Sequence, residues 1–244
     1  MGFEKFDQHN KGAYWERYFE KDRKFYDTIK NHIAAALSMG KSAGMDIGAG
    51  PGVGAKLLDD LNIKTIIYGY EPSETSADGT VFAEELRLKN STVEYRPIHC
   101  GMEKIQTPEN DSLDYILALR TAHEIAESMN SRDKFFNELC RLLGGLKKQG
   151  SIIIAEPQFS DSFASQPEML KLIQAYKQEK IGHSHVPSDY ITDIEMKKHM
   201  EEAGLNLINE NIIPDEKLLD YLVEQGFILK ESPCYFYVQT FRKE

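Results

Sequence analysis

The sequence predicts an α/β fold: a seven-stranded, mostly parallel sheet with helices on both faces and an antiparallel hairpin at its C-terminal end. Three observations carry this expectation. Apolar, β-branched runs alternate with helix-spaced segments from Gly44 to Ile154. Glycines at every second position, Gly48, Gly50, Gly52 and Gly54, separate the first such run from the first helical segment. The tail from Met196 onward twice follows a helix with a glycine and an apolar run, then ends on an aromatic strand, Tyr235 to Phe241.

The whole chain bounds what this fold can do. Its 244 residues supply one substantial core, so residues 1–244 are expected to form a single domain. With 39 acids against 29 bases the net charge is −10, which repels phosphate backbones and makes a nucleic-acid partner unexpected. Cys100, Cys140 and Cys234 are odd in number and lack metal spacing; with no apolar signal core at Met1–Lys5 they point to a reducing cytoplasm and to no metal centre. No stretch reaches the roughly 18 apolar residues of a membrane span. A small-molecule substrate is expected, for a monomer or homodimer.

Taken in order, residues 11–39 read as a helix, because Tyr14, Tyr18, Phe19, Phe25, Tyr26, Ile29, Ile33 and Leu37 recur at threes and fours. Residues 1–40 form an N-terminal helical cap, 41–157 a cofactor-binding core. Within the core, Gly44 to Gly54 is a strand, a tight turn and a helix start. Glycine lets backbone approach a ligand there, and the helix N-terminus offers free N–H groups. The helix 55–61 leads to the strand Lys64–Tyr70, ended by Glu71-Pro72. Glu71 stands 17 residues after Gly54, where an acid at the end of a second parallel strand can take both ribose hydroxyls.

The arrangement Asp46-x-Gly48-x-Gly50-x-Gly52 resembles the first motif of class I S-adenosylmethionine-dependent methyltransferases. That resemblance implies a Rossmann-like fold, S-adenosylmethionine as cofactor, and cofactor contacts at Asp46, Gly48, Gly50, Gly52, Glu71, Met102 and Leu119. It also implies that the N-terminal helix covers the active site, with Tyr14 and Trp15 at substrate. A dinucleotide fingerprint fits only in a shifted frame through Gly50, Gly52 and Ala55, which keeps a nicotinamide oxidoreductase open as an alternative.

Beyond Glu71, a helix is expected at 81–88 and a strand at 93–98, with Pro97 placing that strand near an edge. Methyltransferases commonly carry an acid for the adenine amine just after this strand. Here Gly101 occupies its place, so adenine recognition falls to backbone groups and to packing by Met102. A non-catalytic S-adenosylmethionine-binding regulatory protein is the alternative this departure admits.

The strand 111–119 leads into Arg120-Thr121-Ala122-His123. Asp114 and His123 resemble residues of small-molecule methyltransferases related to the quinone C-methylating enzymes, and the resemblance sets His123 near the transferred methyl. A histidine there can accept the acceptor's proton. Arg120, like Glu156 at the end of the fifth strand, is a substrate candidate.

Residues 158–192 read as a lid-like insertion, with a helix at 169–179 and a polar loop bearing His183 and His185 as further substrate candidates. Residues 193–244 hold helices and closing strands. Phe227–Lys230 is expected to pair with Tyr235–Phe241 as the last hairpin, the other helix–strand unit of the tail being either an elaboration or an extra edge element.

Overall fold

The computed structural model describes residues 22–37, 42–73, 75–160, 167–181 and 190–244. In chain order the elements are α1 (Arg23–Ala36), β1 (Ser42–Ile47), α2 (Val53–Asp60), β2 (Thr65–Tyr70), α3 (Thr75–Leu88) and β3 (Val93–Ile98). A single 3-10 turn, Met102–Lys104, precedes β4 (Leu113–Leu119), α4 (Ala122–Ser128), α5 (Arg132–Leu143) and β5 (Leu146–Phe159). The chain closes with α6 (Pro167–Ile181), α7 (Asp193–Glu202), β6 (Leu205–Pro214), α8 (Glu216–Glu224) and β7 (Cys234–Lys243).

The seven strands form one sheet in the order β3-β2-β1-β4-β5-β7-β6, with β7 antiparallel to both of its neighbours. The order reverses between β1 and β4, so a crevice opens outside their carboxyl ends, where ligands of such sheets bind. Both faces of the central strands are covered, and β4 reads accordingly as one apolar run, LDYILAL. Ile116, Ala118, Ile152 and Ile154 pack under α4, α5 and α7, while Tyr115, Leu117, Ile153 and Ala155 pack under α1 and α2. Alternate residues of one strand thus feed two cores.

Local chemistry explains the boundaries. Ser131 caps α5 by accepting from the Lys134 N–H, and α1 buries Phe25, Tyr26, Ile29 and Ile33, the stripe its spacing predicts. Gly44 is required by packing, since a Cβ there would lie 2.2 Å from the buried Tyr115 ring. The Tyr115 hydroxyl bonds Thr65 Oγ1 at 2.8 Å. Asp114, matched above to a methyltransferase pattern, sits at the far end from the crevice. Its two oxygens accept from Ala43 N and Lys147 Nζ, each at 2.8 Å, fixing β1 against β4. β3 is the sheet edge that Pro97 foretold.

The C-terminal pairing corrects the expectation. β7 pairs with β6, from Leu205↔Lys243 to Pro214↔Tyr235, and residues 227–230 form no strand. The physical reason is length and burial. Ten residues of β6 offer a ladder along all of β7, whereas Phe227 and Leu229 turn into a third core and Ile228 is fully exposed. Of the two readings open for the first helix–strand unit of the tail, the edge element is the one observed: β6 is the sheet edge, and α8 crosses between the two antiparallel strands.

That third core holds Phe159, Met169, Ile173, Tyr190, Leu218, Leu222 and Cys234. It joins α6 and α8 to the last residue of β5. Beyond Ala155, β5 has no partner on its β4 side, which is why Pro157 is tolerated within it.

Candidate active site

The crevice has two ends, built from different strands. At the first, β1 runs into Gly48, Gly50 and Gly52, all with positive φ (67°, 52° and 106°), a path that side chains resist. A Cβ on Gly48 would lie 1.8 Å from Thr121 Oγ1, so the turn and the start of α4 are in intimate contact. Gly48 N and Ala49 N donate to Tyr70 O, and Gly50 N donates to Glu71 Oε2 at 2.9 Å. The other oxygen, Glu71 Oε1, accepts from Ser73 N at 2.9 Å. The carboxylate is thereby fixed beside the glycine turn, with lone pairs left for further donors.

Asp46 lies beneath this turn. It is 1% exposed, and its Oδ2 accepts from Gly54 N at 3.0 Å, while Oδ1 is buried with no hydrogen-bond partner. Burial pushes its carboxyl up to about 7, with the Gly54 bond opposing and Glu71 adding to the shift. The sequence expected Asp46 at the cofactor; its geometry instead ties the strand end to the first turn of α2.

A narrow cleft adjoins the turn, lined by Ile47, Gly48, Tyr70, Pro72, Gly101, Met102 and Glu103, with Ile125 and Ser128 of α4 opposite. Gly101 has ordinary extended backbone, φ −77° and ψ 161°, so nothing in its conformation demands glycine. A Cβ there would lie 2.7 Å from Glu103 Oε2 and 2.8 Å from Oε1. The Glu103 carboxylate has therefore moved into the space a side chain at 101 would take. Sequence reasoning missed Glu103, because the substitution works across two residues; a glycine next to an acid in the same turn is the signal that could have found it.

At the second end, β4 delivers Arg120 and His123, and β5 delivers Glu156. Glu156 is wholly buried; its Oε1 accepts from Thr121 N (2.6 Å) and Ala122 N (2.7 Å), and its Oε2 meets His123 Nδ1 at 2.5 Å. Expected as a substrate contact, it holds the histidine ring and the start of α4. His123 is 4% exposed, with Nε2 3.9 Å from Glu124 Oε1. Burial works against an imidazolium there, yet the Glu156 charge and hydrogen bond prevail, and the His123 pKa is raised. Burial pushes the Glu124 carboxyl up to about 7, against the pull of His123 and with Glu156 adding to it.

The His123 ring lies 5.1 Å from that of Tyr190, which in turn lies 5.2 Å from Phe159. Arg120 has positive φ (60°); its Nη1 bonds Asp22 Oδ2 at 3.1 Å and its guanidinium lies over Phe25 and Phe236. Leu119 is 7% exposed and packs in the core on the α1 and α2 face. Tyr14, Trp15, His183 and His185 lie outside the described residues. Among the described residues, no three His, Cys, Asp or Glu side chains converge as for a metal ion, and no helix is long and apolar enough to cross a membrane.

A mostly parallel sheet with a glycine turn after its first strand and a clamped carboxylate after its second is the arrangement in which α/β proteins bind nucleoside-bearing cofactors. A family model for a methyltransferase domain matches residues 45–154, the span from β1 to β5. That match supports a class I S-adenosylmethionine-dependent methyltransferase, with S-adenosylmethionine as cofactor, and nothing in the comparisons favours the oxidoreductase or non-catalytic alternatives. Magnesium protoporphyrin IX methyltransferase from Synechocystis, solved with bound S-adenosylhomocysteine, shares the fold at 12% identity, TM-score 0.59, covering 100% of this chain and 94% of that one. Similar too is the 1,6-didemethyltoxoflavin-N1-methyltransferase of Burkholderia thailandensis, bound to 1,6-didemethyltoxoflavin and S-adenosylhomocysteine: 15% identity, TM-score 0.56, 95% of this chain and 84% of that one. A third is an S-adenosylmethionine-dependent methyltransferase from Aquifex aeolicus, at 14% identity and TM-score 0.53, covering 97% and 96%. No curated protein matches.

Proposed function

We propose that this enzyme methylates a small-molecule acceptor in the cytoplasm, with the two ends of the crevice dividing the work. The observation that carries the reading is α4, a helix of seven residues that serves both ends. Ile125 and Ser128 line the cleft beside the glycine turn, while His123 faces Tyr190. His123 at 4% exposure is reachable only by something small. The toxoflavin enzyme, bound to a compact heterocycle, is a fold neighbour in keeping with this. The three cysteines, all unpaired, suit a reducing compartment.

The residues at the first end fit the cofactor. Glu71, already held by Gly50 N and Ser73 N, accepts from the ribose hydroxyls. Gly48, Gly50 and Gly52 let the chain pass close to the amino-acid end, and Asp46 keeps that turn in place from below. Met102 packs on the adenine, and Glu103 accepts its amine in place of the absent side chain at 101. When bound there, S-adenosylmethionine would supply a methyl group already activated as a sulfonium. His123 takes up the acceptor's proton at Nε2, and Glu156 keeps the ring turned for it.

Thermal-shift titration with S-adenosylhomocysteine and label transfer from methyl-labelled S-adenosylmethionine test this reading. At a hundred times its dissociation constant, S-adenosylhomocysteine adds about 2.7 kcal/mol of stability. Glu103→Ala weakens it about tenfold, the worth of one hydrogen bond to a charged group, and Gly101→Asp added to that variant restores it. No shift with S-adenosylhomocysteine would overturn the assignment of the cleft; an unchanged affinity in Glu103→Ala would remove Glu103 from it.

A further inference from the structure

Lys177 is the most anomalous side chain in the second end of the crevice. It projects from α6, is 7% exposed, and its ammonium lies 4.8 Å from the centre of the Phe159 ring and 5.3 Å from that of Tyr190. Among the described residues its hydrogen-bond partners are the Tyr190 hydroxyl, at a long 3.4 Å, and the Cys234 thiol. Among the described residues no carboxylate lies within ion-pair distance of it. Asp215 is the nearest acid felt electrostatically, but its Oδ1 accepts from Leu218 N at the start of α8. Arg120, the other cation of this region, already has Asp22.

A buried ammonium with no anion is costly, and two aromatic faces offset only part of that cost. The neighbours that touch it do not carry the missing charge. Burial pushes the Cys234 thiol up to about 12 and raises the Tyr190 phenol, so both are neutral. For Lys177 itself burial favours the neutral amine, and the electrostatic pull of its neighbours, Asp215 among them, works the other way and raises its pKa. The same Tyr190 ring that covers Lys177 faces His123 at 5.1 Å. One aromatic residue therefore separates the proposed proton acceptor from a positive charge that, among the described residues, has no carboxylate at ion-pair distance.

We propose that the methyl acceptor is an organic anion, a carboxylate-bearing small molecule, whose charged group pairs with the Lys177 ammonium. Phe159 and Tyr190 flank its apolar body, and its nucleophilic atom is turned toward His123. The proposal rests on the methyltransferase reading of the crevice and deepens it by naming the class of acceptor. A site that meets the acceptor's charge with a buried ammonium discriminates strongly, since a neutral analogue leaves that ammonium unpaired.

The test uses the full chain loaded with S-adenosylhomocysteine and a set of small aromatic carboxylates, 4-hydroxybenzoate and indole-3-carboxylate among them, each beside its primary amide. The wild type is expected to bind at least one carboxylate with a tenfold or greater preference over its amide, measured by titration calorimetry. Lys177→Met, a volume match without the charge, loses that preference and leaves the affinity for S-adenosylhomocysteine within twofold. Its melting temperature stays level or rises, because an apolar side chain of matched volume removes the desolvation cost of the buried ammonium. Lys177→Arg keeps part of the preference. Equal binding of acid and amide, no carboxylate bound at millimolar concentration, or a preference that survives Lys177→Met would each overturn the proposal. Failure of S-adenosylhomocysteine to bind would instead overturn the methyltransferase reading, and with it this inference.

Discussion

The two ends of the crevice are built by opposite means. At the cofactor end, backbone does most of the holding: Gly48 N and Ala49 N donate to Tyr70 O, Gly50 N and Ser73 N donate to Glu71, and three glycines at positive φ permit it. At the acceptor end, side chains from distant parts of the chain meet: His123 with Glu156, Tyr190 with Phe159, Lys177 above both rings. The first kind of site needs a short sequence in one conformation. The second needs several elements packed in register, and it can change its ligand by changing one side chain.

The largest test of this contrast is a pair of variants. Glu71→Ala is expected to weaken S-adenosylhomocysteine by about a hundredfold or more, since its carboxylate serves both ribose and turn. His123→Ala leaves that affinity within twofold and lowers kcat by about 10²-fold to 10⁴-fold, the range for a general base. Calorimetry and steady-state kinetics measure the two; equal loss of cofactor binding in both would dissolve the division.

A smaller effect sharpens the cofactor end. The Asp46 carboxyl is raised from 3.8 to about 7 by burial, so the folded state binds the proton more tightly than the unfolded chain. Its contribution to stability is present at low pH and is lost as pH rises through that window. Asp46→Asn should therefore flatten the fall in stability between pH 5 and pH 8 by on the order of 2 kcal/mol, read from urea midpoints. Identical slopes in the two proteins would show that the carboxyl titrates normally.

The smallest expected effect concerns the acceptor end. With its pKa raised by Glu156, His123 is freed of its proton only above its ordinary 6.5, so kcat rises with pH in that range. Glu156→Gln removes the charge that holds the proton, and the rising limb moves to lower pH. A limb that stays in place would mean that another group, Glu124 being the nearest, sets it.

Much of the cofactor end was legible because its signals are local. The glycine spacing, the acid after β2 and the apolar run of β4 each reflect a constraint satisfied within a few residues. Even there Glu103 escaped, since its carboxylate fills a neighbour's space rather than its own expected one. Asp114 misled in another way: a residue that matched a family pattern works at the far end of the sheet, holding Ala43 and Lys147.

By itself, the sequence determined the parallel core and the glycine turn after its first strand, because periodicity and glycine conformation act through adjacent residues. Only the tertiary structure decided that β6, and not residues 227–230, closes the sheet, and that His123 meets Glu156 and Tyr190 while Tyr190 covers Lys177. Those choices depend on which long-range ladder and which buried surface are more favourable, a competition between segments that no single segment records.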